Sequence, residues 1–200
     1  MHPNPMFRWE DVDAMRAFVA DVGFGSLFAA TPDGPRVAHV PVVIEGDRLQ
    51  LHLANGNGIA RHLDGATGLF VVNGPDGYVS PDWYGIGPDE VPTWNYVVVE
   101  LEGVVRKMDR ARLTAQIDAL SEVQEQRLAP KPAWTRGKAD PAKIDRMMGA
   151  ITGFEMTIQA WRGTMKLGQN KPEAARHAAA DAMEATGRKG LAHLMRTVQR

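Results

Sequence analysis

The chain has 200 residues, a formal net charge of -1 and no cysteine. This length suffices for one domain of ordinary size with its own core, and two small domains are also compatible with it. The near balance of acidic and basic residues excludes a strong overall field for nucleic acid or anionic membranes, so such a partner would need a local patch. The lack of cysteine excludes disulfides, thiolate nucleophiles and Cys-ligated zinc.

The N-terminus and the hydropathy pattern indicate a soluble protein that is not exported. Residues 1–5 contain two prolines and lack the basic and apolar regions of a signal peptide. No run of about eighteen apolar residues, the length of a membrane span, occurs anywhere. The sequence therefore predicts a cytoplasmic location and no membrane partner.

The N-terminal half predicts one helix followed by short strands. Apolar residues at helical spacing predict a helix over residues 10–22 that ends at Gly23. Segments rich in β-branched or alternating apolar residues, separated by turns of Gly, Pro and Asp, predict strands over residues 24–31, 36–44, 49–53 and 68–72.

Two details refine this pattern. Pro41 lies inside a predicted strand, which indicates an edge or a bulge. Residues 73–77 predict a turn, and residues 78–84 predict a short extended stretch ending in aromatic residues. Strands at short intervals without long intervening helices favour an antiparallel barrel or sandwich over a doubly wound sheet.

The C-terminal half changes to helical periodicity. A helix capped by Asp109 is predicted to reach residue 128, with Leu113, Ile117 and Leu120 on one face. The remaining predicted elements are a helix over residues 140–149, a strand over 151–162, a loop over 163–172 and a helix over 173–185, followed by a shorter segment around Leu191.

A polar and aromatic cluster, Thr93, Trp94, Asn95 and Tyr96, precedes the β-branched run at 97–103. Trp and Tyr combine apolar faces with one donor each, and Asn adds a donor and an acceptor, which suits a flat ligand rimmed by heteroatoms. The alternative is that the aromatic residues belong to the core and Asn95 caps a turn.

A glycine-rich segment with Arg61 follows the strand at 49–53. It does not match a dinucleotide fingerprint, because Arg61 occupies the position of the third glycine and no crossover helix follows. Backbone N–H groups and the Arg61 cation are compatible with binding one phosphate. A surface turn with a solvated arginine is an equally good interpretation.

No pattern of a catalytic or metal site is present in the sequence. The six histidines do not form a zinc motif. Neither a Gly-x-Ser-x-Gly nucleophile elbow nor a Walker loop occurs. We therefore predict a ligand-binding barrel without a metal, and the sequence leaves open whether it catalyses a reaction.

Three blocks in order, residues 73–84, 91–96 and 166–170, resemble the successive signatures of the PaiB family of FMN-binding negative transcriptional regulators. The resemblance extends from the N-terminal segment to about Asn170. It implies a mainly β fold with helices: an antiparallel, FMN-binding split β-barrel of the pyridoxamine-phosphate-oxidase type. The domain would cover residues 1–170 with a helical insertion at about 109–149, and residues 171–200 would form a helical extension.

The same resemblance implies a homodimer with FMN in the cleft between subunits. The segment from His52 to His62 would hold the phosphate, although Gly58, Ala60 and Gly168 depart from residues common in the family. The cofactor-binding residues implied are His39, Pro41, His52, Ala54, Asn57, Arg61, Trp94, Asn95, Lys166, Gln169 and Asn170.

Three functions are compatible with this ligand. The family implies a transcriptional regulator, whereas barrels of this type also include FMN-dependent oxidoreductases acting on small substrates and heme-handling proteins. No helix-turn-helix with a basic recognition helix is present, so any DNA contact would use an unidentified or indirect surface. The last stretch is locally basic, through Arg188, Lys189, Arg196 and Arg200, but cations also suit a solvated helix end.

Overall fold

The structure, a computed structural model, describes residues 2–198 and divides them into two compact units. The first unit contains residues 2–15, 73–99 and 162–198. The second unit contains residues 16–72 and 100–161. The predicted domain boundary at residue 170 stays a prediction.

The strands of the described residues form one sheet. They are β1 (Arg8–Trp9), β2 (Phe24–Thr31), β3 (Gly34–Pro41), β4 (Val43–Glu45), β5 (Arg48–Ala54), β6 (Thr67–Val79), β7 (Thr93–Lys107) and β8 (Ile151–Lys166). Their order is β3-β2-β6-β7-β8-β5-β4, with β1 paired to β8. Every pair with a defined register is antiparallel, which confirms the predicted antiparallel β fold. Strand β3, which contains Pro41, lies at one end of this order. This is the edge position that Pro41 predicted.

The helices follow the capping signals in the sequence. They are α1 (Val12–Val22), α2 (Arg110–Gln126), α3 (Pro141–Gly149), α4 (Glu173–Ala185) and α5 (Lys189–Thr197). Asp109 accepts the backbone N–H of Arg112 at 2.8 Å, and Asp140 accepts that of Ala142 at 3.1 Å, so each satisfies an orphan donor of the first turn. None of the helices within residues 2–198 is long and apolar enough to span a bilayer.

Alternate strand residues form the core of the second unit. Leu27, Leu49, Leu51, Phe70 and Met156 are fully buried. Because successive side chains of a strand point to opposite faces, the intervening residues of β2, β3 and β5 face away from this core. Several of the predicted site residues occupy those intervening positions.

The predicted turn at residues 73–77 is wrong, because β6 continues through it to Val79. Gly77 lies inside the strand where the start of α5 packs closely. A Cβ at Gly77 would lie 2.8 Å from Arg188 Cδ and 3.0 Å from Leu191 Cδ2. The glycine that resembles a turn signal thus allows a helix to approach a strand.

Two other boundaries differ from the prediction. Strand β8 extends to Lys166, so residues 163–166 are not a loop. Strand β7 begins at Thr93, so Trp94 and Asn95 lie within a strand rather than in a loop before it. In the extension of β8, Gly163 and Thr164 pair with Trp9 and Arg8 of β1.

Candidate functional site

Trp94 and Asn95 point to opposite faces of β7. The Trp94 side chain is 48% exposed, and its Nε1 donates to Asp76 Oδ1 at 2.9 Å. Its ring stands edge-on to Tyr78, with 6.3 Å between centroids. The interpretation of Trp94 as a core residue is therefore wrong, and the indole is available as a surface for contact with a ligand or a protein.

Asn95, in contrast, is 1% exposed. Its Oδ1 and Nδ2 are buried without a hydrogen-bond partner among residues 2–198. The alternative in which Asn95 caps a turn is therefore wrong, because neither atom of its amide bonds to a neighbouring loop or turn. An unpaired buried amide is costly, so the cluster has an unused donor and acceptor that a polar group could satisfy.

The side chains of Tyr84, Asn95 and Arg176 lie close to Gly168. The position that a Cβ of Gly168 would occupy is 3.8 Å from Tyr84 Oη and 3.9 Å from Asn95 Nδ2. Gly168 has a φ of 83°, which favours glycine. Arg176 also approaches this position, and its buried Nε has no partner within the described chain. Gly168 differs from the residue common at this position in the family, and its left-handed backbone conformation is one that favours glycine.

The block from Lys166 to Asn170 is held mainly by its own side chains. Gln169 Oε1 accepts the Leu167 N–H at 2.8 Å, and Gln169 Nε2 donates to Met165 O at 2.6 Å. Both polar ends of Gln169 therefore stabilise the loop, whereas Asn170 is exposed. Contact of either residue with a cofactor stays a prediction.

Lys166 is half-buried and directed toward the start of β7. Its Nζ donates to Thr93 Oγ1 at 2.5 Å and lies 5.9 Å from the centroid of the Phe7 ring. The Lys166 ammonium group thus contacts β7 at Thr93, two positions before Asn95. No acidic side chain pairs with it among residues 2–198. An ammonium in such a place is suited to an anionic or electron-rich ligand group.

Sequence reasoning missed three residues around this loop. Lys171 forms an ion pair with Glu90 and lies 5.3 Å from the centroid of the Tyr84 ring. Burial, and secondarily the charge of Glu90, raise the pKa of Tyr84. The only signal in the sequence was that Lys171 directly follows the 166–170 block, since Glu90 is far away in the chain.

In the second unit, His39 and Pro41 lie on the face of β3 that is turned away from the core. His39 pairs with Ser26 of β2, and its Nδ1 is 2.9 Å from Ser26 Oγ. The same face exposes Phe28 opposite Val37. The predicted residues His39 and Pro41 therefore share a partly apolar and partly polar surface.

His52 and Ala54 occupy the corresponding face of β5, where α2 covers His52. His52 Nδ1 is 3.1 Å from Gln116 Oε1, and Gln116 is 1% exposed. Burial lowers the pKa of His52, and the bond to Gln116 opposes this change only in part. No group of three or more potential metal ligands occurs among residues 2–198.

The segment after β5 is a compact turn. Asn57 Oδ1 accepts the Ile59 N–H at 3.1 Å immediately before a single helical turn, Ala60–His62. Arg61 is exposed, and its Nε donates to His62 Nε2 at 2.9 Å. A Cβ at Gly58 would have no neighbour within 4 Å, so the departure from the family pattern there is not imposed by crowding.

The predicted residues thus fall into two groups, each described within its own unit. The first unit contains Trp94, Asn95, Lys166, Gln169 and Asn170, which lie on β7 and around the end of β8. The second unit contains His39, Pro41, His52, Ala54, Asn57 and Arg61, which lie on β3, on β5 and in the turn that follows. Binding of a cofactor by any of these residues stays a prediction.

The basic C-terminal stretch is partly occupied by internal contacts. Arg196 Nη2 lies 2.6 Å from Asp181 Oδ1 and 2.7 Å from Glu184 Oε2. Arg188 Nε donates to Asp76 O at 3.3 Å. Arg200 lies outside the described residues. These contacts favour the interpretation of the stretch as a solvated helix end.

The half-buried His52 makes stability depend on pH. Because its pKa is lower in the folded protein than its ordinary value of 6.5, the stability is fully present above that value and falls as the pH drops toward the folded-state pKa. We expect urea unfolding to show a loss of stability between pH 7.5 and pH 5.5. His52→Gln should reduce this loss, since glutamine does not titrate.

The Glu155 carboxylate should not disturb this test. Burial alone would raise the pKa of Glu155, but its bonds to Arg112 and Gln50 outweigh that effect and lower it. The stability contributed by Glu155 is therefore lost only below its ordinary value of 4.5. An unchanged pH dependence in His52→Gln would show that His52 is not the group responsible.

A known family and a curated relative match most of the chain. The family is described as "Putative FMN-binding domain" and matches residues 1–160. The relative is the protease synthase and sporulation protein PAI 2 of Bacillus subtilis (strain 168). It is 25% identical over 178 residues, which cover 86% of this chain and 84% of the relative.

Solved structures with the same fold include two flavin proteins. The FAD and heme binding protein from Mycobacterium smegmatis is 17% identical, with a TM-score of 0.61 over 80% of this chain and 73% of that chain. The flavocytochrome Anf3 from Azotobacter vinelandii is 15% identical, with a TM-score of 0.62 over 82% of this chain and 72% of that chain. At these identities the likeness shows the split-barrel fold alone.

Proposed function

Because the chain belongs to this FMN-binding family, and FMN is its cofactor, we propose that it works as a cytoplasmic, homodimeric regulatory flavoprotein of the PaiB type. The observation that carries the proposal is the family match over residues 1–160, which includes the predicted site residues from His39 to Asn95. The name of the Bacillus relative, a protease synthase and sporulation protein, supports a regulatory role in the production of degradative enzymes and in sporulation.

In the second unit, the turn after β5 fits the phosphate end of FMN. Arg61 presents an exposed guanidinium beside a short helical turn, and Gly58 leaves open space next to the backbone. A phosphate requires a cation that it can approach closely, and the exposed Arg61 side chain provides one. Arg61 would hold the phosphate, with Asn57 fixing the shape of the turn.

In the first unit, Trp94, Asn95 and Lys166 carry groups that suit contact with a flavin ring. The unpaired Asn95 amide has one donor and one acceptor, which match the carbonyl and N–H groups of a flavin pyrimidine ring. Trp94 provides an apolar face, and Lys166 provides a positive charge. When bound, FMN supplies electron transfer, and the protein provides binding and orientation.

The absorbance spectrum of the purified protein tests the cofactor. We expect flavin bands after incubation with FMN and removal of the excess by gel filtration. A protein that acquires a Soret band with hemin, and retains no flavin, would contradict the proposal and favour the heme-handling alternative.

The face of the β2–β3 hairpin supports the proposed homodimer. Phe24, Phe28 and Val37 are 51%, 38% and 42% exposed, and β3 ends the strand order. Exposed apolar residues at a sheet edge need cover, which a second copy can provide.

Light scattering at micromolar concentration should give the mass of a dimer. A monomer that still binds FMN would exclude a cofactor site shared by two chains.

Lys166→Met should weaken FMN binding about tenfold, equivalent to about 1.4 kcal/mol for the loss of one charge-assisted contact. Fluorescence quenching of FMN measures the affinity. Lys143→Met is the matched control, because Lys143 is exposed on α3 and distant in sequence from every predicted site residue. Equal affinities of the two variants would assign Lys166 to the support of β7 through Thr93.

We propose that the regulatory output is indirect, through a protein partner rather than through DNA contact by the C-terminal stretch. The internal ion pairs of Arg196 support this. Fluorescence anisotropy with a labelled duplex at low salt tests it. Tight binding that Arg188→Ala or Lys189→Ala abolishes would refute the indirect route.

A further inference from the structure

The helical segment between β7 and β8 contains a cleft separate from the predicted FMN residues. It lies between α2, α3 and the connection between them, and its volume is about 920 Å³. Cavities that bind small molecules typically measure roughly 300 to 1,000 Å³. Its lining includes Trp134, Ile144, Met148, Asp118, Arg136 and Glu122. The cleft therefore has the size, and the mixture of apolar and polar groups, of a small-molecule site.

One side of α2 forms a wall of this cleft. Arg110, Thr114, Asp118 and Glu122 recur every four residues and so share one face of the helix. Gln116 lies on a different face, where it contacts His52. The face that lines the cleft is thus not the face that packs on the sheet.

Ion pairs fix the walls and neutralise the cations of the cleft. Arg136 binds Asp118 through two bonds, Nε to Oδ1 at 2.9 Å and Nη2 to Oδ2 at 2.8 Å. Arg110 Nη2 lies 2.7 Å from Asp145 Oδ1, and this ion pair joins α2 to α3. Both arginines are therefore matched by a carboxylate.

The backbone at Trp134, which lines the cleft, is held by neighbouring side chains. The Glu125 carboxylate accepts the Trp134 backbone N–H at 2.8 Å and also pairs with Lys131. Lys138 Nζ donates to Ala133 O at 2.6 Å and closes the other end of the loop. Trp134 remains 39% exposed, so it presents an accessible aromatic surface on an anchored backbone.

Glu122 leaves the cleft with one uncompensated negative charge. Its Oε1 accepts a bond from Gln126 at 3.3 Å, and no cation pairs with it among residues 2–198. An aromatic face near a carboxylate attracts organic cations through cation–π and Coulomb contacts. We propose that this cleft binds a small amphipathic organic cation, with its ammonium group at Glu122 and its apolar body against Trp134, Ile144 and Met148.

Three probes of nearly equal size but different charge test this proposal. Isothermal titration of the whole FMN-loaded protein would use 2-phenylethylamine, 2-phenylethanol and phenylacetate. We expect the amine to bind about fivefold more tightly than the alcohol, the ratio that an exposed charge contact of about 1 kcal/mol provides, and the anion to bind most weakly. Equal affinities for the three probes, or no binding of the amine, would overturn the proposal.

Matched variants locate the binding. Glu122→Gln should reduce the affinity for the amine about fivefold and leave that for the alcohol unchanged. Glu45→Gln removes the same charge from an exposed residue at the end of β4 and should change neither. Trp134→Ala should weaken both the amine and the alcohol. If Glu122→Gln and Trp134→Ala, each shown by circular dichroism to be folded, bind the amine like wild type, the cleft is not the site. Titrations without FMN should give the same order of the three affinities, so this test does not depend on the proposed function.

Discussion

Gly103→Ala is expected to lower the free energy of unfolding by about 3 kcal/mol or more, the upper range for overpacking in a core. Gly103 lies in β7, and a Cβ there would come within 2.1 Å of Thr157 O and 2.8 Å of the carbonyl carbon. Both are backbone atoms, so no side chain can rotate to relieve the overlap. The two strands would have to separate, which would disturb the core around Met156.

Urea unfolding of Gly103→Ala and Gly137→Ala measures this effect. Gly137 is the matched control, because a Cβ there meets no atom within 4 Å and its φ is not positive. Its replacement should change the stability by less than about 0.5 kcal/mol. Similar stabilities of the two variants would show that β7 and β8 are not in the close contact described.

Asn95→Leu is expected to have opposite effects on the stability of the apoprotein and on FMN affinity. Leucine has the same number of side-chain heavy atoms but removes the buried donor and acceptor that lack partners. Removing such groups should stabilise the apoprotein by about 1 to 3 kcal/mol. If the amide contacts the flavin, FMN affinity should fall about tenfold or more.

Melting curves of the apoprotein and FMN titrations separate these effects. Asn55→Leu is a suitable contrast, because Asn55 Nδ2 donates to Gly149 O at 2.9 Å and its Oδ1 accepts from Thr152 Oγ1 at 2.7 Å. That variant should lose stability. Wild-type FMN affinity in Asn95→Leu would remove Asn95 from the proposed cofactor site, and a lower melting temperature would mean that its amide is satisfied in solution.

Local signals predicted most of the elements, because their causes lie within a few residues. Asp109 and Asp140 cap helices as their positions indicated, and α4 covers Glu173–Ala185, the range predicted. The failure at residues 73–77 has a different cause. Gly77 accommodates Arg188 and Leu191, more than a hundred residues away in the chain, and no local pattern indicates such a contact.

The site was harder to predict than the fold, for the same reason. The motif around Trp94 was identified from residue types, but the face of each side chain depends on where β7 begins. A predicted apolar face on α2 included Leu113, which is buried, but the sequence did not indicate that the polar Gln116 would be buried as well. Its partner His52 lies 64 residues earlier, so only the tertiary structure shows why a glutamine belongs there.

Helix α2 contacts two sites of our proposals, the cleft for an organic cation and the predicted cofactor residue His52. One face lines the cleft at Glu122, and another carries Gln116, the partner of His52. Thermodynamic linkage makes any coupling between two such places reciprocal. An amine that displaces α2 would change the affinity for FMN by some factor, and FMN would change the affinity for the amine by the same factor. One rigid helix would then let the level of a cationic metabolite set how much of the protein carries its flavin.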